Sequence, residues 1–284
     1  MYRIKKKKAL NDTVTLMEIS APIVAKHARA GQFIILRIDE AGERIPLTIA
    51  GFNREKGTIT IIFQKVGATT LRLDTLNEGD SLLDFAGPLG KASELDSLFK
   101  KRVALVAGGL GIAIAYPQAK ALFDVGAILD SFVGFRSKEL FILTDDLARF
   151  SNDLIITTDD GSNGNKGFVT DSLRKKLESG IIYDEVIAIG PIPMMRAVCN
   201  LTKEYGIHTV VSMNSTMIDG TGMCGCCRLT VAGKTVFACV DGPEFDGHQV
   251  DFDMAMKRGS MYRDEERASM ERERHICNLT GEVR

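Results

Sequence analysis

Four of the chain's six cysteines fall within residues 224–239, inside the run DGTGMCGCCRLTVAGKTVFACVDGP that occupies 219–243. Thiols at such short spacing can ligate a metal, exchange electrons as a pair, close a disulfide or simply pack. Cys224, Cys226 and Cys227 are followed after eleven residues by Cys239. Adjacent Cys226 and Cys227 do not easily point at one centre, so Cys224, Cys227 and Cys239 form the stronger ligand set. Zinc and iron-sulfur centres both ask for a fourth ligand. No histidine stands near until His248, whereas the carboxylate of Asp219 lies five residues before Cys224. Glycines at 220, 222 and 225 let the loop wrap a cluster and turn its amides inward. The residues favour an iron-sulfur centre and leave zinc, redox thiols and packing open. Cys199 sits in an apolar helical pattern and reads as core, and Cys277 has no assignment.

A second set of residues suits nucleotides. VALVAGGLGIAIA, residues 103–115, reads as a buried strand, a glycine turn at Gly108, Gly109 and Gly111, and a helix. Such a turn lets backbone N–H groups and a helix N-terminus approach a phosphate, although its spacing is not that of G-x-G-x-x-G. GFRSKE (134–139), TTDDGSNGNKG (157–167) and GPIPMM (190–195) close three further apolar runs. In an open parallel sheet such loops converge on one crevice at the carboxyl ends of the strands. Earlier in the chain, RIPLT (44–48), QKVGATT (64–70) and FAGPLG (85–90) carry small and hydroxyl residues. Gly67, Thr69 and Thr70, just ahead of a short helical pattern, suit a pyrophosphate.

The elements that must position these groups divide the chain. Over 1–99, short β-rich runs at regular spacing predict an antiparallel barrel or sandwich, with ATTLRLDTL a short helix lid over one end. Over 100–212, compact apolar runs alternate with helical stretches such as IAIAYPQAKALF and TDSLRKKLES, which predicts a doubly wound parallel sheet. Residues 213–250 form the cysteine segment. Residues 251–284 carry 15 charged residues in 34, which predicts a partly helical, surface-lying or partner-contacting tail. A net charge of −1 argues against nucleic acid as a partner. No apolar run approaches the roughly 18 residues of a membrane span, and MYRIKKKKAL lacks the apolar stretch of a secretory signal. The chain reads as cytoplasmic, where cysteine clusters hold metal or do redox work more often than they form disulfides.

In their order these motifs resemble the ferredoxin-reductase-type flavoprotein family, over about residues 2–250. Within it the likeness is to electron-transfer subunits ending in a [2Fe-2S] loop, those of dihydroorotate dehydrogenases and those of NADH-dependent reduced ferredoxin:NADP oxidoreductases, also known as sulfide dehydrogenase subunits. The resemblance implies an FAD-binding barrel, an NAD(H)-binding α/β domain with NADP(H) left open, and a cluster that hands electrons to another chain. Carried over, Pro46, Leu47, Thr48 and Ile49 lie along the flavin, with Ile45 where the family's arginine stands and Arg44 one step early. Gly67, Thr69 and Thr70 match the FAD pyrophosphate stretch, and Gly87 belongs to the G-P-L-G motif. Gly108, Gly109, Gly111, Gly134, Arg136, Asp160, Gly190, Pro191 and Met194 match the nicotinamide-nucleotide loops.

At the cluster, the dihydroorotate pattern C-x4-C-x2-C is met by Asp219, Cys224 and Cys227, with Cys239 beyond. The ferredoxin:NADP branch shares an aspartate there, so Asp219, Cys224, Cys227 and Cys239 become the implied ligands. The implied chemistry is flavin-centred and needs no acid-base dyad. Hydride passes between NAD(H) and FAD, and single electrons pass through the cluster to a larger flavin and iron-sulfur subunit in a heterodimer, with ferredoxin reached indirectly. The alternatives are an electron-transfer subunit of a dihydroorotate or sulfide dehydrogenase, and a non-enzymatic zinc or thiol redox sensor.

Overall fold

A computed structural model describes residues 1–280, with side chains through residue 273. The first half contains β1 (Tyr2–Ala9), β2 (Val14–Ser20), α1 (Pro22–His27), β3 (Phe33–Arg37), β4 (Ile45–Asn53), β5 (Thr58–Gln64), α2 (Ala68–Thr75), β6 (Ser81–Leu82) and β7 (Asp84–Leu89). Its strands form one antiparallel sheet in the order β6-β1-β2-β5-β4-β3-β7. The two edge strands are separated only by Leu83, whose amide bonds to the carbonyls of Arg37 and Ile38. The chain itself therefore carries the sheet from one edge to the other, giving a nearly closed barrel. Ile34, Leu36, Ile49, Ile59, Ile61 and Phe63 fill it. The strand β1 went unread in the sequence because lysines dominate it. Its lysines, Lys5 to Lys8, follow a single inward anchor, Ile4, which is 1% exposed.

The second half contains β8 (Arg102–Gly108), α3 (Gly111–Val125), β9 (Ile128–Phe135), α4 (Thr144–Ala148), β10 (Asp153–Thr158), α5 (Val169–Glu178), β11 (Glu185–Ile189), α6 (Ile192–Glu204) and β12 (His208–Ser212). These strands pair in parallel in the order β10-β9-β8-β11-β12. The apolar runs are buried on both faces, as the central strand β8 illustrates with Val103, Leu105 and Ala107 against one layer and Ala104 and Val106 against the other. The order reverses between β8 and β11, and that switch point opens a crevice at the carboxyl ends of both strands. At the opposite end of the sheet, buried Asp130 accepts from Arg102, Asn152 and Tyr183 and ties β8, β9 and the entry to β11 together.

The cysteine segment adds the hairpin β13 (Arg228–Val231) and β14 (Lys234–Phe237), α7 (Ala238–Asp241) and β15 (Glu244–Asp246). The last of these pairs antiparallel with β12, so the segment returns to the edge of the α/β sheet. Two helices follow, α8 (Phe252–Gly259) and α9 (Arg263–Thr280). The tail is not uniformly superficial. Phe252 and Ala255 are buried in the α/β core, while α9 lies on α2 with Ser269, Met270 and Glu273 half-buried on one face. Among the described residues no helix is long and apolar enough to cross a membrane.

Candidate functional site

The strand β8 ends at Gly108, and the chain turns through Gly109 into α3. The turn packs directly on the start of α6. A Cβ at Gly108 would lie 2.5 Å from Met194 Sδ, and one at Gly111 would lie 2.3 Å from the Ile189 carbonyl oxygen. Glycine is required at 111 because the close neighbour is backbone, which cannot swing away as a side chain can. The turn and the neighbouring strand ends open on a cleft of about 540 Å³. Gly108, Gly109, Gly111, Gly134, Arg136, Gly190, Pro191 and Met194 all line it, and its opposite wall comes from the barrel through Asn11, Thr13, Val14, Gln64 and Val66. The tip of the β1–β2 hairpin spans the two walls, where Asn11 Nδ2 donates to the Leu140 carbonyl at 3.3 Å.

Asp160 stands apart from that cleft. Its Oδ1 accepts from the Ser162 hydroxyl at 2.7 Å and the Ser162 amide at 2.9 Å, and these bonds hold its carboxyl below the usual range. It lines a shallow hollow with Ser137, Lys138, Glu139 and Ser162, and its neighbour Asp159 reaches the main cleft instead. Sequence reading also passed over Thr157 and Phe168. Thr157 is 2% exposed and lines the cleft, and its hydroxyl has no hydrogen-bond partner. Phe168, at the entry to α5, lines the same cleft with 64% of its surface exposed. A buried hydroxyl left unpaired beside a cleft is a group that a ligand can satisfy. Thr157 and Phe168 lie in or beside the glycine-rich run after β10, where each looks like ordinary strand or loop composition.

On the barrel, Pro46, Leu47 and Thr48 are half-buried along β4, opposite Ile35, Ile34 and Phe33, while Ile49 is 1% exposed and turned into the core. Gln64 and Val66 lead straight from the cleft wall to Gly67 and α2. Thr70 Oγ1 accepts from the amides of Val66 and Gly67, and the Thr69 hydroxyl donates to Glu43 at 2.6 Å. The remaining motif residue, Gly87, is a packing position, since a Cβ there would lie 2.7 Å from Ile34 Cγ2. Behind the cleft, Glu244 accepts from Ser93 at 2.7 Å and from Gln118 at 2.5 Å, joining the barrel's exit, α3 and β15. Burial pushes its carboxyl above the usual range.

The cysteine loop is seated on the barrel. Gly220, at φ +77°, lies against β3 and β7, where a Cβ would meet Leu89 at 2.6 Å and Ile35 at 2.9 Å. Two residues earlier, Arg44 Nε donates to the Ile218 carbonyl at 2.9 Å, and its guanidinium also stands 3.8 Å from Asp84. Asp219 sits between these two contacts. Its carboxylate accepts from the amides of Thr221 at 2.8 Å and Cys224 at 3.0 Å, which hold it below the usual range. Cys227 and Cys239 are buried with their sulfurs 3.3 Å apart. Burial, with the Cys227 thiol beside it, pushes Cys239 up to about 12. Cys224 is exposed, and the Cys226 amide donates to its sulfur and lowers its pKa.

The loop thus holds two pairs, Asp219 with the Cys224 amide and Cys227 with Cys239. Among the described residues no three His, Cys, Asp or Glu side chains converge as a ready metal cage. The donor set of three thiols and one carboxylate nonetheless fits an iron-sulfur group, because two thiols already meet and the remaining two donors share one glycine-rich turn. The Cys226 thiol reaches the Cys224 carbonyl at 4.0 Å, Cys199 is core at 3% exposure, and the side chain of Cys277 lies outside the described residues.

The chain is similar to known proteins over nearly its whole length. Residues 214–251 match the iron-sulfur cluster binding domain of dihydroorotate dehydrogenase B. The chain is 45% identical to a dihydroorotate dehydrogenase B (NAD(+)) electron transfer subunit homolog of Thermotoga maritima, over 96% of this chain and 95% of that protein. It is 32% identical to the dihydroorotate dehydrogenase B (NAD(+)) electron transfer subunit of Fusobacterium nucleatum, over 84% of this chain and 92% of that one. A solved structure of NADH-dependent reduced ferredoxin-NADP oxidoreductase, described for flavin-based electron bifurcation, matches at 44% identity and a TM-score of 0.90. That match covers 96% of this chain and 97% of the other.

Proposed function

The chain belongs to the family of dihydroorotate dehydrogenase B electron-transfer subunits and their homologues, and from that premise we propose that it moves electrons between NAD(H) and a larger partner subunit. The observation that carries the reading is the seating of the cysteine loop on the same barrel that walls the nucleotide cleft, so that both cofactor cradles share one body. When bound, FAD supplies the exchange between hydride and single electrons, and a [2Fe-2S] cluster carries electrons one at a time. The chain's own residues bind, orient and screen.

Gly108, Gly109 and Gly111 admit the dinucleotide's phosphates to the N-terminus of α3, and Gly190, Pro191 and Met194 bound the side of the cleft next to them. Thr157 and Phe168 offer a hydroxyl and an aromatic face at the β10 end. Pro46, Leu47, Thr48 and the backbone at Ile49 line the flavin, and Gly67, Thr69 and Thr70 hold its pyrophosphate at the start of α2. Asp219, Cys224, Cys227 and Cys239 hold the cluster. In this reading 1–99 is the FAD barrel, 100–212 the NAD(H) domain, 213–250 the cluster segment and 251–284 a tail. A cytoplasmic location belongs to this reading, because cysteine clusters there hold metal or do redox work more often than they form disulfides.

The partner is a flavin and iron-sulfur subunit. The likeness to the ferredoxin-NADP oxidoreductase structure, at 44% identity over 96% of this chain, supports an electron-bifurcating assembly that reaches ferredoxin through the partner. An absorption spectrum of anaerobically purified protein tests the core of this reading. Flavin bands with a superimposed iron-sulfur envelope are expected. Colourless protein carrying zinc would instead support a thiol or zinc sensor.

A further inference from the structure

The cysteine loop is gripped at two shoulders by arginines from different parts of the molecule. Arg44, at the entry to β4, donates to the Ile218 carbonyl at 2.9 Å, immediately before Asp219. Arg258, in the last turn of α8, donates to the Cys226 carbonyl at 3.1 Å, between Cys224 and Cys227. Neither residue belongs to the ligand set. Both bond to backbone carbonyls adjoining its members, so each fixes where a ligand starts.

The two arginines are anchored independently. Arg44 shares Asp84 with Arg37, whose Nε lies 2.8 Å from the same carboxylate oxygen, so this shoulder keeps a net positive charge. Arg258 is carried by a helix whose Phe252 and Ala255 are buried in the α/β core, whose Asp253 pairs with Arg196 at 2.8 Å, and whose cap is Asp251. A third cation, Arg228, lies beside Gly225 of the loop. The loop is therefore strung between barrel and α/β sheet, with an arginine bonded to each shoulder and a third beside Gly225.

We propose that Arg44 and Arg258 are positioning residues for the iron-sulfur cluster, which clamp the loop from its two sides and stabilise the cluster's reduced state. The inference rests on the reading that residues 219–239 hold such a cluster. Reduction adds one negative charge to a group held by three thiolates and a carboxylate, and a nearby cation offsets it. A guanidinium bonded to the loop's own carbonyl also restrains the loop as that charge changes. This gives the tail a definite task, since α8 reaches the loop through Arg258.

The test is an EPR-monitored redox titration of the whole, anaerobically prepared protein with Arg44→Met, Arg258→Met and the matching lysine variants. Each methionine variant is expected to disfavour the reduced cluster about tenfold, which is ~59 mV downward for a one-electron couple, with a changed EPR line shape. Each lysine variant should recover part of the potential, because it keeps the charge without the planar fork. If Arg44→Met fails to fold, Arg258→Met and Arg44→Lys decide the matter by the same two readouts. Wild-type potential and line shape in both of the folded variants would overturn the proposal. A wild-type protein without any cluster signal would sink the underlying reading instead, so the two failures are distinct.

Discussion

Cys239→Ser should yield folded yellow protein that has lost its iron. Cys239 is 2% exposed with its sulfur 3.3 Å from that of Cys227, and both thiols face an apolar core. Burial pushes the Cys239 thiol up to about 12, so a bound metal must displace its proton and supply the positive charge that stabilises the thiolate there. A serine hydroxyl is far more basic than a thiol once deprotonated, and it is a harder and shorter donor. The expected result is loss of most iron and of the EPR signal, while the flavin band and the response of flavin to NADH persist. Cys227→Ser should behave alike. Cys226→Ser should leave iron content unchanged, because its carbonyl still accepts from Arg258 and a hydroxyl can replace the thiol as donor to the Cys224 carbonyl. Full iron content in Cys239→Ser would remove it from the ligand set.

Gly111→Val is expected to abolish NADH oxidation and destabilise the chain while leaving the barrel's flavin site intact in whatever protein folds. The first side-chain carbon would meet the Ile189 carbonyl oxygen at 2.3 Å and the Ile189 carbonyl carbon at 2.9 Å. Relief requires α3 to move off β11 at the switch point, which opens the core that Ile112, Ala115 and Ala119 share with Ile187 and Ile189. Overpacking of this kind costs about 1–3 kcal/mol, and the branched side chain places this variant at the upper end. Urea unfolding measures the stability change, and stopped-flow reduction by NADH measures the functional one. A rate reduced more than about 100-fold, corresponding to ~2.7 kcal/mol of barrier, is expected with the cluster's EPR signal retained. Near-normal NADH oxidation would show that the dinucleotide does not use this turn.

Much of this architecture is legible in the sequence because its strongest signals are local. The runs VALVAG, DSFVGF and EVIAI are buried on both faces and end in glycine or polar residues, so strand, order of elements and crevice follow from composition. The barrel's alternating strands read equally well. The missed features depend on contacts distant in sequence. Arg44 meets Ile218 across 174 residues, and no local pattern marks that pairing. The lysines of β1 hide a strand whose register needs only Ile4 pointing inward. Asp160 falls in the nucleotide-loop string TTDDG, where its side-chain bond to Ser162 turns it to capping its own loop while Asp159 lines the cleft. Gly87 looks like part of a cofactor motif, while the Ile34 side chain beside it explains the glycine by packing. The antiparallel return of β15 to β12, with Glu244 buried behind the cleft, depends on pairing between strands far apart in the chain.

The most direct measurement of the central claim is an anaerobic NADH titration of the whole protein, followed together by visible absorption and low-temperature EPR. The account predicts that NADH bleaches the flavin band and that the signal of a reduced [2Fe-2S] cluster appears in the same protein. A flavin band that NADH leaves unchanged, or a bleached flavin with no cluster signal at any NADH concentration, would contradict it.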